Sequence, residues 1–417
     1  MKILLLGSGA REHALARALV NAPETTELVV APGNPGTAMI ATNFAIDPTS
    51  PVEAVELATQ MGADLVVVGP EAPLVAGVAD AVRQAGVPVF GPGAAAARLE
   101  GSKAFAKEVM AAAGVPTATA VVCATPEELS AALDRFGAPY VVKDDGLAAG
   151  KGVVVTSERD AALAHGRSCL ARQGGRVLVE EYLDGPEVSL FCVCDGATVR
   201  PLAPAQDYKR VGDGDVGPNT GGMGSYSPLT WAPADLTEQV VREVAQPVVD
   251  EMARRGTTFI GLLYCGLALT GKGLRVVEFN VRFGDPETQV VLARLTSSLA
   301  QLLHAAATGR LAEVPAPTWR PEAAVDVVLA APGYPGAVTT GGLLTGLDAA
   351  EEVEGVHVLH AGTGFSDDGE LVATGGRVLS VVALGDDVQA ARERAYQAVG
   401  RLGLPGSHYR TDIAAGR

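Results

Sequence analysis

A chain of 417 residues is too long for one hydrophobic core and divides into two to four domains. With 48% hydrophobic and 19% charged residues it is a packed globular protein. Its formal net charge of −16 excludes a nucleic-acid partner, which needs a basic face, so an anionic substrate must be held by local Lys, Arg and backbone N–H groups.

The opening Met1-Lys2-Ile3-Leu4-Leu5-Leu6-Gly7 reads as a buried first strand, since charge and glycine interrupt it too soon for a signal peptide. No apolar run approaches membrane-spanning length, so no membrane is expected and a cytoplasmic enzyme is. Residues 2–6, 28–31, 65–68 and 87–90 are short strand-like runs closed by glycine or proline. Amphipathic stretches at 12–21, 52–61 and 73–85 separate them, and this alternation predicts a doubly wound parallel sheet.

Beyond Gly101 the rhythm changes. A helix over 102–113 leads to strands at 118–122, 140–142, 153–155, 177–179 and 188–193, spaced for antiparallel hairpins. A polar, glycine-rich stretch at 207–227 has almost no apolar periodicity. A single long helix at 236–254 and strands at 259–269 and 275–279 follow. The proline-rich 314–321 reads as a linker to a small α+β domain, with strands at 323–331 and 377–383 and a helix at 387–402. The five cysteines lack CxxC spacing and read as buried thiols, with no disulfide framework or zinc site implied.

Gly7-Ser8-Gly9-Ala10-Arg11-Glu12 follows the first strand as a dinucleotide loop would, yet the third glycine is missing and no acid closes the second strand. The loop is therefore either a plain turn or, with Arg11 and His13 at a helix start, a site for another phosphate-bearing group. More informative is Lys143-Asp144-Asp145-Gly146-Leu147-Ala148-Ala149-Gly150-Lys151-Gly152 between two apolar strands. Its small residues let backbone approach an anion, and such a hairpin can close over a triphosphate. Glu180-Glu181-Tyr182-Leu183 ends another strand, where a turn into extended chain can offer backbone groups to an adenine edge and Glu187 can reach a ribose.

The sharpest pattern is Glu278-Phe279-Asn280-Val281-Arg282. Period two puts Glu278, Asn280 and Arg282 on one face of an otherwise apolar strand, and burying them costs several kcal/mol unless each has a partner. A hard cation accounts for the Glu and Asn oxygens, and Arg282 for charge on a transferring phosphoryl group. Gln206-Asp207-Tyr208-Lys209-Arg210 and Gly217 through Gly224 suggest a second phosphate site.

Taken in order these segments resemble the ATP-grasp enzymes, and more narrowly the phosphoribosylamine–glycine ligase family. Further matching words are Gly69-Pro70-Glu71, Leu99-Glu100-Gly101-Ser102-Lys103, Arg282-Phe283-Gly284-Asp285-Pro286-Glu287 and Gly375-Gly376-Arg377. The resemblance implies an α/β chain: an N-terminal doubly wound parallel sheet at 1–101, an ATP-grasp domain at 102–313 with a lid near 117–186, and a small α+β C-terminal domain at 322–417. It implies ligation of glycine to 5-phosphoribosylamine with ATP, through a glycyl phosphate. Lys103, Lys143, Gly150, Lys151, Gly152, Glu180, Glu181, Tyr182, Leu183 and Glu187 would hold the nucleotide, and Glu278 and Asn280 would ligate Mg²⁺ or Mn²⁺. Arg282, Lys209 and Asp207 would serve the chemistry. Gly9, Arg11, Glu12, His13, Arg210, Thr220, Gly221, Gly222, Met223, Asp285 and Glu287 would face the substrates. A monomer or weak homo-oligomer is expected.

The alternatives are another ATP-grasp carboxylate–amine ligase, or an ATP-binding regulator without turnover. Three features depart from the family: Asp144 stands where alanine is usual, residues 168–176 look shortened, and residues 260–269 lack a further acidic metal ligand. Asp207 is then the candidate for that ligand.

Overall fold

A computed structural model describes residues 1–146 and 152–416; Gly150 and Lys151 lie outside the described residues. Five parallel strands form the N-terminal sheet in the spatial order Thr42–Asn43, Glu27–Pro32, Lys2–Gly7, Leu65–Val68, Val89–Phe90. The order reverses beside the central first strand. At that crevice, where such sheets commonly receive a ligand, Glu12 sits against Gly7 and Gly69. A Cβ on Gly69 would lie 2.2 Å from the Glu12 carboxylate, so glycine is required there for close packing. Glu12 also accepts the Gly9 N–H (2.6 Å), and the crevice is filled by protein rather than left for a dinucleotide.

Four antiparallel strands form the lid sheet in the order Ala120–Cys123, Val177–Glu180, Tyr140–Asp144, Val153–Thr156. Helices Pro126–Phe136 and Arg159–Leu170 cover it, and Cys123, Leu129, Leu133, Val142, Cys169 and Val179 belong to its separate small core. The central sheet runs Val199–Pro201, Glu187–Asp195, Ile260–Thr270, Gly273–Asn280. The expected helix over 236–254 is interrupted: Leu236–Val240 and Gln246–Arg254 are α-helical, with a π turn at Val241–Ala245 between them. Pro247 has no N–H to donate four residues back, and the wider turn absorbs that break.

The C-terminal sheet has the order Gln206–Asp207, Gly224–Ser227, Ala323–Ala330, Arg377–Gly385, Val356–His360. Its first two strands come from the polar stretch that showed no periodicity. Gly224–Ser227 pairs antiparallel with the strand after the linker, Gly224 opposite Val327 and Ser227 opposite Ala324. Backbone bonds from Thr296 to Thr318 (2.9 Å) and from Arg320 to Arg294 (2.7 Å) fasten the linker to the preceding segment. Among the described residues no helix is long and apolar enough to cross a membrane.

Candidate active site

A cleft of about 830 Å³ lies between the lid, the central sheet and the C-terminal sheet. Strand Gly273–Asn280 forms its floor. A bulge opposite Gly266 and Leu267 inserts Val277, so Val277, Glu278 and Asn280 all line the cleft. The Val277 carbonyl accepts from Lys143 Nζ (3.0 Å), which joins lid to floor. Glu278 and Asn280 make no side-chain hydrogen bond or ion pair among the described residues. Burial works against the charge of Glu278, yet Lys209, Lys143, Lys103 and Arg282 outweigh it and hold the carboxyl below its ordinary range. An ionised carboxylate beside an amide oxygen, both without protein partners, fits a hard divalent cation. No group of three or more His, Cys, Asp or Glu suited to a metal occurs among the described residues, so phosphate and water oxygens would complete the shell.

The lid supplies the opposite wall. Lys143 Nζ meets Glu180 at 2.8 Å and Lys107 meets the same carboxylate at 3.1 Å. Burial opposes the Glu180 charge, but the two lysines hold its pKa low. The Glu180 side chain is thus a buried tie that positions lysines, not a group facing a base. Tyr182 and Leu183 also line the cleft, and their backbone groups make no hydrogen bond among the described residues. Glu181 accepts from the Thr119 N–H (2.9 Å). Gly152 closes the hairpin through its carbonyl to the Asp144 N–H (2.8 Å). Lys103 follows Ser102, the N-cap of helix Lys103–Ala113, and donates to the Gly146 carbonyl (3.1 Å), with no carboxylate partner among the described residues.

Deeper in, Lys209 pairs with Glu187 (2.6 Å). Burial disfavours the Lys209 charge, yet Glu187 and Asp207 hold its pKa well above normal. Asp207 is pushed up to about 7 by burial, against the field of Lys209 and helped by Glu287, Glu187 and Glu278. Arg282 is held by Glu71 (3.3 Å) and Glu100 (3.1 Å), so two carboxylates already neutralise much of its charge. Glu287, at the start of helix Glu287–Arg294, accepts from the Tyr264 hydroxyl (2.8 Å) and from Ser189 (3.1 Å).

At the C-terminal end Arg377 gathers several loops. It pairs with Asp285 (3.0 Å) and donates to the carbonyls of Gly221 (2.7 Å) and Asp285 (2.8 Å). Burial opposes the charge of Asp285, but Arg377 and Arg11 keep it ionised below the usual range. Thr220 and Arg210 line the same end, and Arg210 donates to the Gly217 carbonyl (2.8 Å) with no ion pair among the described residues.

Of the residues singled out in the sequence, Lys103, Lys143, Gly152, Glu180 to Leu183, Glu187, Asp207, Lys209, Arg210, Thr220, Gly221, Glu278, Asn280, Arg282, Asp285, Glu287 and Arg11 all line the cleft. Gly9, Glu12, His13, Gly222 and Met223 do not. His13 instead accepts the His360 N–H on Nδ1 (2.9 Å) and joins the N- and C-terminal domains, while Glu12 holds Arg11 (2.5 Å). Sequence reading gave no role to Lys107, Glu71, Glu100, Tyr264 or Arg377. Glu71, Glu100 and Arg377 stood inside matching words, which was the available signal; Lys107 and Tyr264 lay in none.

A triphosphate-sized cleft under an antiparallel lid, with unpartnered oxygen donors on its floor, defines an ATP-grasp carboxylate–amine ligase. Sequence models of the phosphoribosylglycinamide synthetase N domain, ATP-grasp (A) domain and C domain match residues 1–100, 101–288 and 324–416. The chain belongs to the phosphoribosylglycinamide synthetase family. The phosphoribosylamine–glycine ligase of Streptomyces coelicolor is 63% identical over 417 residues, covering 100% of this chain and 99% of its own. That of Mycobacterium tuberculosis H37Rv is 59% identical, covering 99% and 97%. The crystal structure of the Thermotoga maritima enzyme superposes with a TM-score of 0.86 at 34% identity, covering 99% of this chain and 100% of that one. The biotin carboxylase domain of Hydrogenobacter thermophilus 2-oxoglutarate carboxylase shares the fold (TM-score 0.70, 18% identity, 98% and 91% covered).

Proposed function

We propose that the chain is a phosphoribosylamine–glycine ligase of de novo purine biosynthesis, forming glycinamide ribonucleotide, ADP and phosphate from glycine, 5-phosphoribosylamine and ATP. The observation that carries the reading is the unpartnered pair Glu278 and Asn280, set in one cleft with Lys103 and Lys143 at one end and Arg210 at the other. Lys103 and Lys143 hold the nucleotide phosphates, and the free backbone groups of Tyr182 and Leu183 meet the adenine edge. Glu278 and Asn280 would hold Mg²⁺ or Mn²⁺, which would supply neutralisation of nucleotide phosphate charge. Glu187 faces the ribose, after exchanging its bond to Lys209.

The glycine carboxylate attacks the γ-phosphorus, and Arg282 lies where charge gathers on the transferred group. The amine of 5-phosphoribosylamine then attacks the acyl phosphate carbon and phosphate leaves. Lys209 steadies the departing charge, and Asp207, poised near neutrality, takes the proton released by the attacking nitrogen. Arg210, Thr220 and Gly221 receive the ribose phosphate, with Gly222 and Met223 shaping that loop from behind. Arg11, Asp285 and Glu287 wall the amine side, and Gly9, Glu12 and His13 support Arg11 and the domain contact. The domain limits 1–101, 102–313 and 322–417 serve this reading, with strands 206–207 and 224–227 lent to the C-terminal sheet.

The test is ADP release with glycine and freshly prepared 5-phosphoribosylamine. Release that requires both supports the reading; release driven by bicarbonate or formate, or none, overturns it. An ATP-binding regulator would have no need to keep Glu278 and Asn280 as free donors in the floor.

A further inference from the structure

A second cavity, of about 400 Å³, lies behind helix Glu287–Arg294, on the side away from the cleft. Helix Ala10–Val20, the linker and strands Val356–His360 and Arg377–Gly385 close it. Its character is mixed. Leu292 and Leu359 give an apolar wall, whereas Arg17, Arg320, His357 and Gln289 are polar. In a chain of net charge −16, neither Arg17 nor Arg320 forms a side-chain ion pair or hydrogen bond among the described residues. Glu351 is the acid whose field reaches Arg17, and it does not close a pair. His357 is lowered to about 4 by burial first and then by both guanidinium groups, so it is neutral at pH 7 and leaves the space to an anion.

Gln289 links this cavity to the cleft. It is 1% exposed, and its Nε2 donates to Asp285 Oδ1 (2.8 Å), which fixes the amide orientation. Its side-chain oxygen is itself buried and has no hydrogen-bond partner among the described residues. Asp285 in turn pairs with Arg377 in the cleft (3.0 Å), so Gln289 joins the two cavities.

We propose that this cavity binds a nucleoside monophosphate, with the phosphate between Arg17 and Arg320 and the base against Leu292 and Leu359. The volume suits one such molecule, and Leu292 and Leu359 give the base an apolar wall. Two unpaired guanidinium groups match a phosphate dianion. Occupancy would be felt at Asp285 and Arg377, at the opposite end of the cleft from Lys103 and Lys143.

Equilibrium dialysis with radiolabelled AMP and GMP tests this, using the full chain with saturating MgADP to block the cleft. The expected result is one saturable site per chain, weakened at least about tenfold in R17A/R320A while ADP binding is unchanged. Absence of saturable binding, or equal binding by that variant, overturns the proposal. Equal affinity for inorganic phosphate overturns the nucleotide class. Should R17A/R320A also lose ADP binding, the single linker variant R320E decides by the same criterion.

Discussion

Asp144 and Arg172 form an ion pair of 2.7 Å between the end of strand Tyr140–Asp144 and the loop after helix Arg159–Leu170. Successive residues of a strand point to opposite faces, so Lys143 faces the cleft while Asp144 turns away from it. The acid that should have repelled phosphate is therefore matched by an arginine from the shortened segment. Two features that stood out in the sequence, Asp144 and the segment 168–176, thus answer one another. Asp145 is held similarly by Arg176 (2.6 Å), and its other oxygen accepts from Ser102 and from the Ala104 N–H (both 3.0 Å), which fastens the hairpin to the helix bearing Lys103.

Arg172→Ala is expected to raise the ATP KM by about threefold to tenfold, because Asp144 is left buried without its partner. Arg172 itself is largely exposed, which keeps the effect moderate. Asp144→Ala should be nearly neutral, and the double variant should recover most of the loss. Steady-state kinetics at saturating glycine decide; additive losses in the double variant would refute the pairing.

Glu278→Gln should still fold, since the side chain makes no hydrogen bond or ion pair among the described residues, yet reduce turnover by about 100-fold or more. The metal-free variant should melt cooperatively but somewhat below wild type, since the field of four cations no longer meets a charge there, and Mn²⁺ affinity measured by paramagnetic resonance should fall. Unchanged Mn²⁺ binding would remove Glu278 from the metal site.

Gly222 has φ +111°, and a Cβ there would lie 2.3 Å from Pro286 Cδ. Gly222→Ala should cost about 1–3 kcal/mol locally and disturb the loop that Arg377 gathers. The predicted kinetic signature is a raised KM for the amine substrate with the ATP KM little altered. The reverse pattern would show that this loop serves the nucleotide end.

Three histidines meet where the N- and C-terminal domains join. Burial is the main cause that lowers His13 to about 3 and His357 and His360 to about 4. A histidine depressed in the folded state contributes stability above its unfolded pKa of about 6.5 and loses it as pH falls toward the folded value. The melting temperature should therefore drop from pH 6.5 to 4. His13→Asn, whose oxygen can accept the same His360 N–H, should flatten that slope; an equal slope would show that His13 is not a source.

Alternation of strand and helix over the first hundred residues, the hairpin around Lys143 and the period-two row at Glu278 were legible because each is a local pattern. The row also announced its chemistry, since polar groups at alternate positions of an apolar strand need partners. Period alone did not show the bulge at Val277, which depends on the register against Ile260–Thr270, or the pairing of Arg282 with Glu71 and Glu100, which lie more than 170 residues away. The stretch 207–227 looked structureless for a related reason: its strand Gly224–Ser227 is held by pairing across the linker with Ala323–Ala330, not by any amphipathic period of its own, and in turn holds Gln206–Asp207. Local sequence thus determined the elements, the family and most cleft residues. Only the tertiary structure decided which charges are spent on protein partners and which remain free for ligand. Asp144 shows the reason: a charge's effect depends on the face it takes and the partner it meets, and Arg172 lies 28 positions further along the chain.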